Sequence, residues 1–164
     1  VILDFFAHWC GPCIRSFPDL KNLYEANKDK GLVVVGVTSY YGFYKQENAQ
    51  KRDMEKDTEF AKMGEFIKDH SMTWPVIYTD KANYDLYGVS GIPHVVLIDK
   101  KGAVHKIKVG YSPDSFAEFR KVVEALPQGR RGAPQRIAAR DSGKAFNGPR
   151  GVAPRTVVSG FQAT

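Results

Sequence analysis

At 164 residues, with 43% hydrophobic and 26% charged residues, the chain has the length and balance of one globular domain with a full core. No apolar run approaches the ~20 residues that a membrane-spanning helix needs. The net charge of +6 is confined to the end of the chain: residues 1–126 carry 17 basic and 17 acidic side chains, and residues 127–164 carry seven basic ones against Asp141 alone. A strongly basic nucleic-acid-binding domain is thereby excluded for the first 126 residues.

Val1 already lies inside an apolar run that ends at Ala7. The sequence therefore reads as a fragment whose true N-terminus is missing, and the lack of a targeting segment carries little weight. Val1–Ala7 predicts a buried strand with Asp4 as its one polar residue. From Gly11 to Asn27, Ile14, Phe17, Leu20, Leu23 and Tyr24 recur at helical steps, and Pro18 inside that pattern predicts a kink. Gly31 ends the helix, and Leu32–Thr38 reads as a second buried strand. Tyr40–Arg52 is aromatic, then polar, and predicts a loop with some helix. Phe60, Met63, Phe66 and Ile67 mark one face of a helix over Asp57–His70. Trp74–Tyr78 predicts a short strand and Ala82–Tyr87 a short helix. Val95–Ile98 and Val104–Val109 flank Asp99-Lys100-Lys101-Gly102, an antiparallel hairpin whose glycine supplies a positive φ. Phe116, Phe119, Val122, Val123 and Leu126 predict a closing helix that starts at Ser112-Pro113-Asp114.

The order is β-α-β-α-(β-α)-β-β-α, an α/β pattern in which right-handed crossovers make the first two long strands parallel neighbours with helices on both faces. Beyond Leu126 the pattern dissolves into Pro, Gly and Arg. Residues 127–164 predict a basic, disordered tail, with too few regularly spaced apolar residues to offset the entropy of ordering. Arginine spread there without aromatic interleaving gives no specific nucleic-acid signal.

The densest chemistry is Trp9-Cys10-Gly11-Pro12-Cys13, which holds both cysteines of the chain at a strand-to-helix junction. Two thiols separated by two residues can close a disulfide across one helical turn and reopen it. Unpaired N–H groups and the positive dipole end favour a thiolate at a helix start, and Cys-X-X-Cys placement lowers a thiol pKa from its usual ~8.5. The outer sulfur, Cys10, is then the attacking nucleophile and Cys13 the resolving thiol. Pro12, in the first turn, costs no hydrogen bond and stiffens the loop.

These residues resemble the thioredoxin-fold oxidoreductases. The likeness rests on Trp9–Cys13, on Asp4 six residues before the first cysteine, and on Pro18 five residues after the second. It rests too on Gly91-Ile92-Pro93 before the strand Val95–Ile98, and on Gly110 at the end of the next strand. It covers residues 1–126. Within that superfamily the chain is more similar to the extracytoplasmic TlpA/ResA-like (redoxin) branch. The added segment between Val37 and Pro93, Trp74–Asp80 and Leu97–Gly102 carry that likeness. Asp4 departs from it, since an uncharged residue is frequent there. The resemblance implies a thioredoxin fold: a central mixed sheet flanked by helices, with an insertion between the second and third core strands.

Asp4, in an apolar strand, is expected to have its pKa raised by desolvation and can then take a proton from Cys13; the alternative is a strand-end aspartate facing solvent. Pro93 on its own reads as an ordinary trans proline. The resemblance implies instead a cis Ile92–Pro93 bond facing the cysteines, with the Ile92 backbone pairing an extended substrate. Trp9 is either a core aromatic or, as the resemblance implies, a rim residue beside the nucleophile, and Gly11 and Pro12 share that substrate face. His8, His70, His94 and His105 show no ligand spacing, so no metal site is expected, although Cys10, Cys13 and two histidines could supply four ligands. His94, beside Pro93, either tunes the thiols or is structural. Tyr40-Tyr41-Gly42-Phe43-Tyr44 follows the second strand at the edge where α/β sheets bind ligands; it either borders the substrate groove or packs over the sheet edge.

The expectation is a thiol–disulfide oxidoreductase that reduces protein disulfides at Cys10/Cys13, with no cofactor beyond that disulfide. Its partners are protein substrates and an upstream thiol donor. Oxidative or isomerase-type exchange is the nearest alternative, followed by a thiol peroxidase, whose Pro-x-x-x-Thr-x-x-Cys setting is absent, and a metal-binding adaptor. A monomer is expected, extracytoplasmic, with a membrane anchor in the missing N-terminal part.

Overall fold

The strand Ile2–Phe5 (β1) is short and central because its side chains are wanted on both faces of a sheet: Ile2 joins one apolar cluster and Phe5 the other. The computed structural model describes residues 1–127 and the backbone of Thr156 and Val157. After β1 come α1 (Gly11–Asn27) with a 3₁₀ turn at Lys28–Lys30, β2 (Val34–Thr38), α2 (Lys56–Asp69), β3 (Val76–Tyr78) and α3 (Lys81–Leu86). They are followed by β4 (His94–Ile98), β5 (Val104–Val109), α4 (Pro113–Ala125) and β6 (Thr156–Val157).

The sheet order is β5-β4-β1-β2-β3-β6. β1 and β2, and β2 and β3, run parallel, whereas β4 runs antiparallel to β1 and β5 to β4. The C-terminal ends of β1 and β2 and the N-terminal end of β4 therefore meet at one edge, where Phe5 lies opposite both Val37 and His94. One face is covered by α1, α2 and α4 through Phe17, Leu20, Phe66, Phe116 and Phe119; the other is covered by Tyr84 and Tyr87, next to Phe5 and Val96. Rings of Phe6, Phe17, Phe66 and Trp74 meet edge-on or stacked at 5.5–6.1 Å and fill the space beneath α1.

Most predicted elements stand, with informative differences. α1 continues through Pro18, which lies on the exposed side of the helix and has no N–H to donate to the Ile14 carbonyl. β2 begins at Val34, after Val33, which is 46% exposed and accepts from the Ile2 amide at 2.8 Å. β3 begins after Pro75, which has no N–H to donate and contributes only its carbonyl, to the Gly36 amide at 2.9 Å. No helix forms in Tyr40–Arg52: Lys45, Asn48 and Arg52 all have φ of +53° to +57°, and Tyr44 and Glu47 pair instead as an isolated bridge. In α2 the buried stripe is Glu59, Met63, Phe66 and Ile67, and Phe60 is only partly buried.

The hairpin turn is built as its sequence requires. Asp99 Oδ1 accepts from the Lys101 and Ala103 amides at 2.8 and 3.0 Å, and Gly102 has φ +83°. Ser112 and Ser115 cap α4 reciprocally. The expected disordered tail lies outside the described residues apart from Pro127 and β6. Thr156–Val157 pairs antiparallel with β3, Val76 opposite Val157; a two-residue strand leaves no period to read in a sequence.

Candidate active site at the start of the first helix

Cys10 is the N-cap of α1, in extended conformation (φ −85°, ψ 98°), and its sulfur accepts from the Cys13 amide at 3.2 Å. One of the unpaired donors of the helix start thus points at Sγ. No acidic residue stands in the first turn to oppose negative charge there. Cys10 and Cys13 are joined as a disulfide, with Cα atoms 5.3 Å apart. Cys13 is fully buried and Cys10 is 4% exposed, while Gly11 and Pro12 between them face solvent. Access to the pair is therefore from the Gly11–Pro12 side, at Cys10.

Asp4 lies below this helix on the α1 face and is fully buried, with neither oxygen accepting a hydrogen bond from the described residues. Across the sheet it is opposite Gly36 on one side and Val95 on the other, and Val95 is opposite Lys108. Residues directly opposite share a face, so Asp4 and Lys108 point to the same side of the sheet. Lys108 is only 8% exposed; its Nζ donates to the Gly110 carbonyl and lies over the Tyr111 ring. Burial pushes the Asp4 carboxyl up to about 7, and the Lys108 charge holds it from going higher. The same burial lowers the Lys108 pKa, against the pull of Asp4. A carboxyl near 7 can both accept and return a proton at neutral pH.

The Ile92–Pro93 bond is cis. Ile92 packs partly buried on the cluster that contains both cysteines, so this loop and the helix start line the same edge. His94, next in sequence, is buried with its ring 5.9 Å from Phe5, and burial lowers its pKa. Trp9 is 50% exposed, and its ring meets Tyr41 edge-on at 5.4 Å. His8 is buried among Tyr41, Phe43 and Tyr44 at 5.0–5.6 Å, which holds it down to about 4, so it is neutral at pH 7. The aromatic loop after β2 thus lies directly against the two residues that precede Cys10. Among the described residues, no group of three or more His, Cys, Asp or Glu side chains is arranged to hold a metal ion.

Two buried charges, Lys108 and Glu59, were not singled out in the sequence reading. Glu59 occupies the apolar stripe of α2 at 1% exposure and accepts from the Tyr41 and Gly42 amides at 2.8 and 2.9 Å, one on each oxygen. The available signal was a glutamate in helical step with Met63 and Phe66, a charge where the stripe calls for an apolar residue. Lys108 left less to find, because a lysine in an edge strand is ordinary.

Comparison with known proteins agrees with this geometry. The Redoxin family description matches residues 1–126. The thiol-disulfide oxidoreductase ResA of Bacillus subtilis is 29% identical over 117 residues, which are 71% of this chain and 56% of that protein. The chain thus spans little more than half the length of that relative. A crystal structure of a thiol:disulfide interchange protein assigned as DsbE, from Chlorobium tepidum, superposes with a TM-score of 0.57 at 32% identity, covering 76% of this chain and 78% of that one. StoA from Bacillus subtilis, at 23% identity and a TM-score of 0.54 over 74% of this chain and 80% of its own, shares the fold. With a thioredoxin-type sheet, a Cys-Gly-Pro-Cys disulfide capping its first helix and a match over residues 1–126, this chain belongs to the Redoxin family.

Proposed function

We propose that this domain is a thiol–disulfide oxidoreductase that reduces disulfides in polypeptides. The observation that carries the reading is the Cys10–Cys13 disulfide at the N-terminus of α1, with one sulfur at the surface side and the other enclosed.

In the reduced form, the Cys10 thiolate is stabilised by the Cys13 amide and the helix end. It attacks one sulfur of a substrate disulfide. A Cys10–substrate bond forms, the substrate S–S bond breaks, and the first substrate thiolate leaves and takes a proton from solvent. Cys13 then gives its proton to Asp4, whose carboxyl near 7 is matched to that task. The Cys13 thiolate attacks Cys10 Sγ, closing the Cys10–Cys13 disulfide, breaking the Cys10–substrate bond and releasing the second substrate sulfur as a thiolate that takes a proton from solvent. Two electrons pass to the substrate, and a donor dithiol restores the pair.

Trp9, Gly11, Pro12 and the Ile92–Pro93 loop form the face that receives the substrate, with the Ile92 backbone available to an extended chain. The reaction calls for no metal or bound cofactor. The setting is extracytoplasmic, with the domain working as a monomer tethered by a segment outside this sequence, and no nucleic acid is involved. Support for that setting comes from the likeness to the TlpA/ResA-like branch; among the described residues no helix is long and apolar enough to cross a membrane.

Replacing Cys13 with Ser tests the site. The variant should accumulate a disulfide between Cys10 and its substrate that dithiothreitol releases, whereas Cys10→Ser should trap nothing. Direction is tested by redox titration. A midpoint near the thioredoxin value of about −270 mV fits a reductant, and one near about −120 mV would assign the domain to oxidation instead.

A further inference from the structure

Glu59 stands 49 residues after Cys10 in the sequence, on a different helix, yet it holds the loop that lies against Trp9. A carboxylate is the side chain suited to this hold, because Tyr41 and Gly42 present two consecutive N–H donors and each needs an acceptor. The rest of the loop is shaped around that grip. Gly42 has φ +75°, and a Cβ there would lie 2.2 Å from the Arg52 carbonyl oxygen, so only glycine allows the chain to pass. The Met54 amide donates to the Gly42 carbonyl at 2.8 Å and the Arg52 guanidinium lies over the Phe43 ring. The Tyr78 hydroxyl reaches the Glu59 backbone carbonyl, and Tyr78 stacks on Tyr40 at 4.1 Å. Together these contacts hold the backbone from 40 to 54. The Tyr41 ring lies among His8, Phe43 and Trp9, and its edge-on partner Trp9 is half exposed beside Cys10.

We propose that Glu59 is a positioning residue for substrate recognition: by accepting from both the Tyr41 and Gly42 amides it holds the Tyr41 ring against Trp9, and so fixes the indole as the wall against which a polypeptide segment carrying the disulfide is seated beside Cys10. This rests on the reading of Cys10 as the nucleophile toward polypeptide disulfides. A small disulfide reaches Cys10 without touching that wall; a polypeptide must lie along it. Glu59 therefore acts on discrimination between the two.

Glu59→Gln is the direct test. The amide keeps one acceptor but turns an NH₂ donor toward the second N–H, so half of the grip becomes repulsive. Exchange by the reduced protein is measured on two disulfide substrates: a polypeptide such as insulin, and a small aromatic disulfide reagent. KM for the polypeptide should rise about three- to tenfold more than KM for the reagent, the size of one aromatic contact. Of the two tryptophans, Trp74 is 1% exposed, so acrylamide quenching reads Trp9. Quenching should increase in the variant. Tyr41→Ala, which removes the ring and keeps both amides, should shift the KM ratio in the same direction; it carries the test if Glu59→Gln does not fold. Equal losses on both substrates, or unchanged quenching with an unchanged ratio, would overturn the proposal. Failure of wild-type protein to exchange either disulfide would overturn the underlying reading instead.

Discussion

Two carboxylates are buried in this domain to the same degree, Asp4 at 0% and Glu59 at 1% exposure, and burial raises the pKa of both. Their surroundings separate them. Glu59 receives two backbone N–H donors, which oppose the effect of burial and tie its charge to the loop. Asp4 receives none from the described residues, and the charge of Lys108 opposes its burial. Hydrogen bonding commits a buried carboxylate to structure; its lack leaves the proton free to move. Burial alone does not tell a proton acceptor from a clamp.

Substituting each carboxylate should break the symmetry in opposite senses. Asp4→Asn should slow release of substrate from the mixed disulfide by about 10²-fold, the lower end of the range for a lost general base, read by stopped-flow at pH 7. It should also make the protein more stable. A carboxyl raised from 3.8 to about 7 destabilises the fold once ionised, so wild-type stability falls as pH rises between those values, by up to roughly 4 kcal/mol. The variant should lack that fall, with the two proteins converging near pH 4 in denaturant titrations. Glu59→Leu should do the reverse and lower stability by about 2–4 kcal/mol, because two amides lose their acceptors. A stability gain in that variant would remove the distinction drawn between the two sites. The smallest effect belongs to Lys108→Met: with the cation gone, the pH midpoint of the resolving step should move upward by less than about one unit. A downward move would mean that Lys108 does not face Asp4.

Asp4 was legible as a buried acid because a lone carboxylate in the run Val1–Ala7 violates its apolar pattern. Cys10 and Cys13 were legible as a pair at a helix start for the same kind of local reason. The elements with a strong period, α1, α4 and the β4–β5 hairpin, were placed to within two residues of their observed ends. Loops were harder to read. The Tyr40–Arg52 segment owes its path to three left-handed residues that are not glycine, and to a carboxylate on a later helix. No local rule announces a lysine or arginine at positive φ, and a long-range clamp has no spacing. Lys108 was hidden for a related reason: in β5 it is Lys108 that is buried while Val104, Ile107 and Val109 are exposed, the reverse of what hydropathy suggests.

The hydrogen bond from the Cys13 amide to Cys10 Sγ gives one atom two duties. The sulfur that Cys10 contributes to the disulfide is also the plug that closes the end of a helix. The bond is present with Cys10 Sγ joined to Cys13, so the helix end is closed in the oxidised pair, with Gly11 and Pro12 on its solvent side.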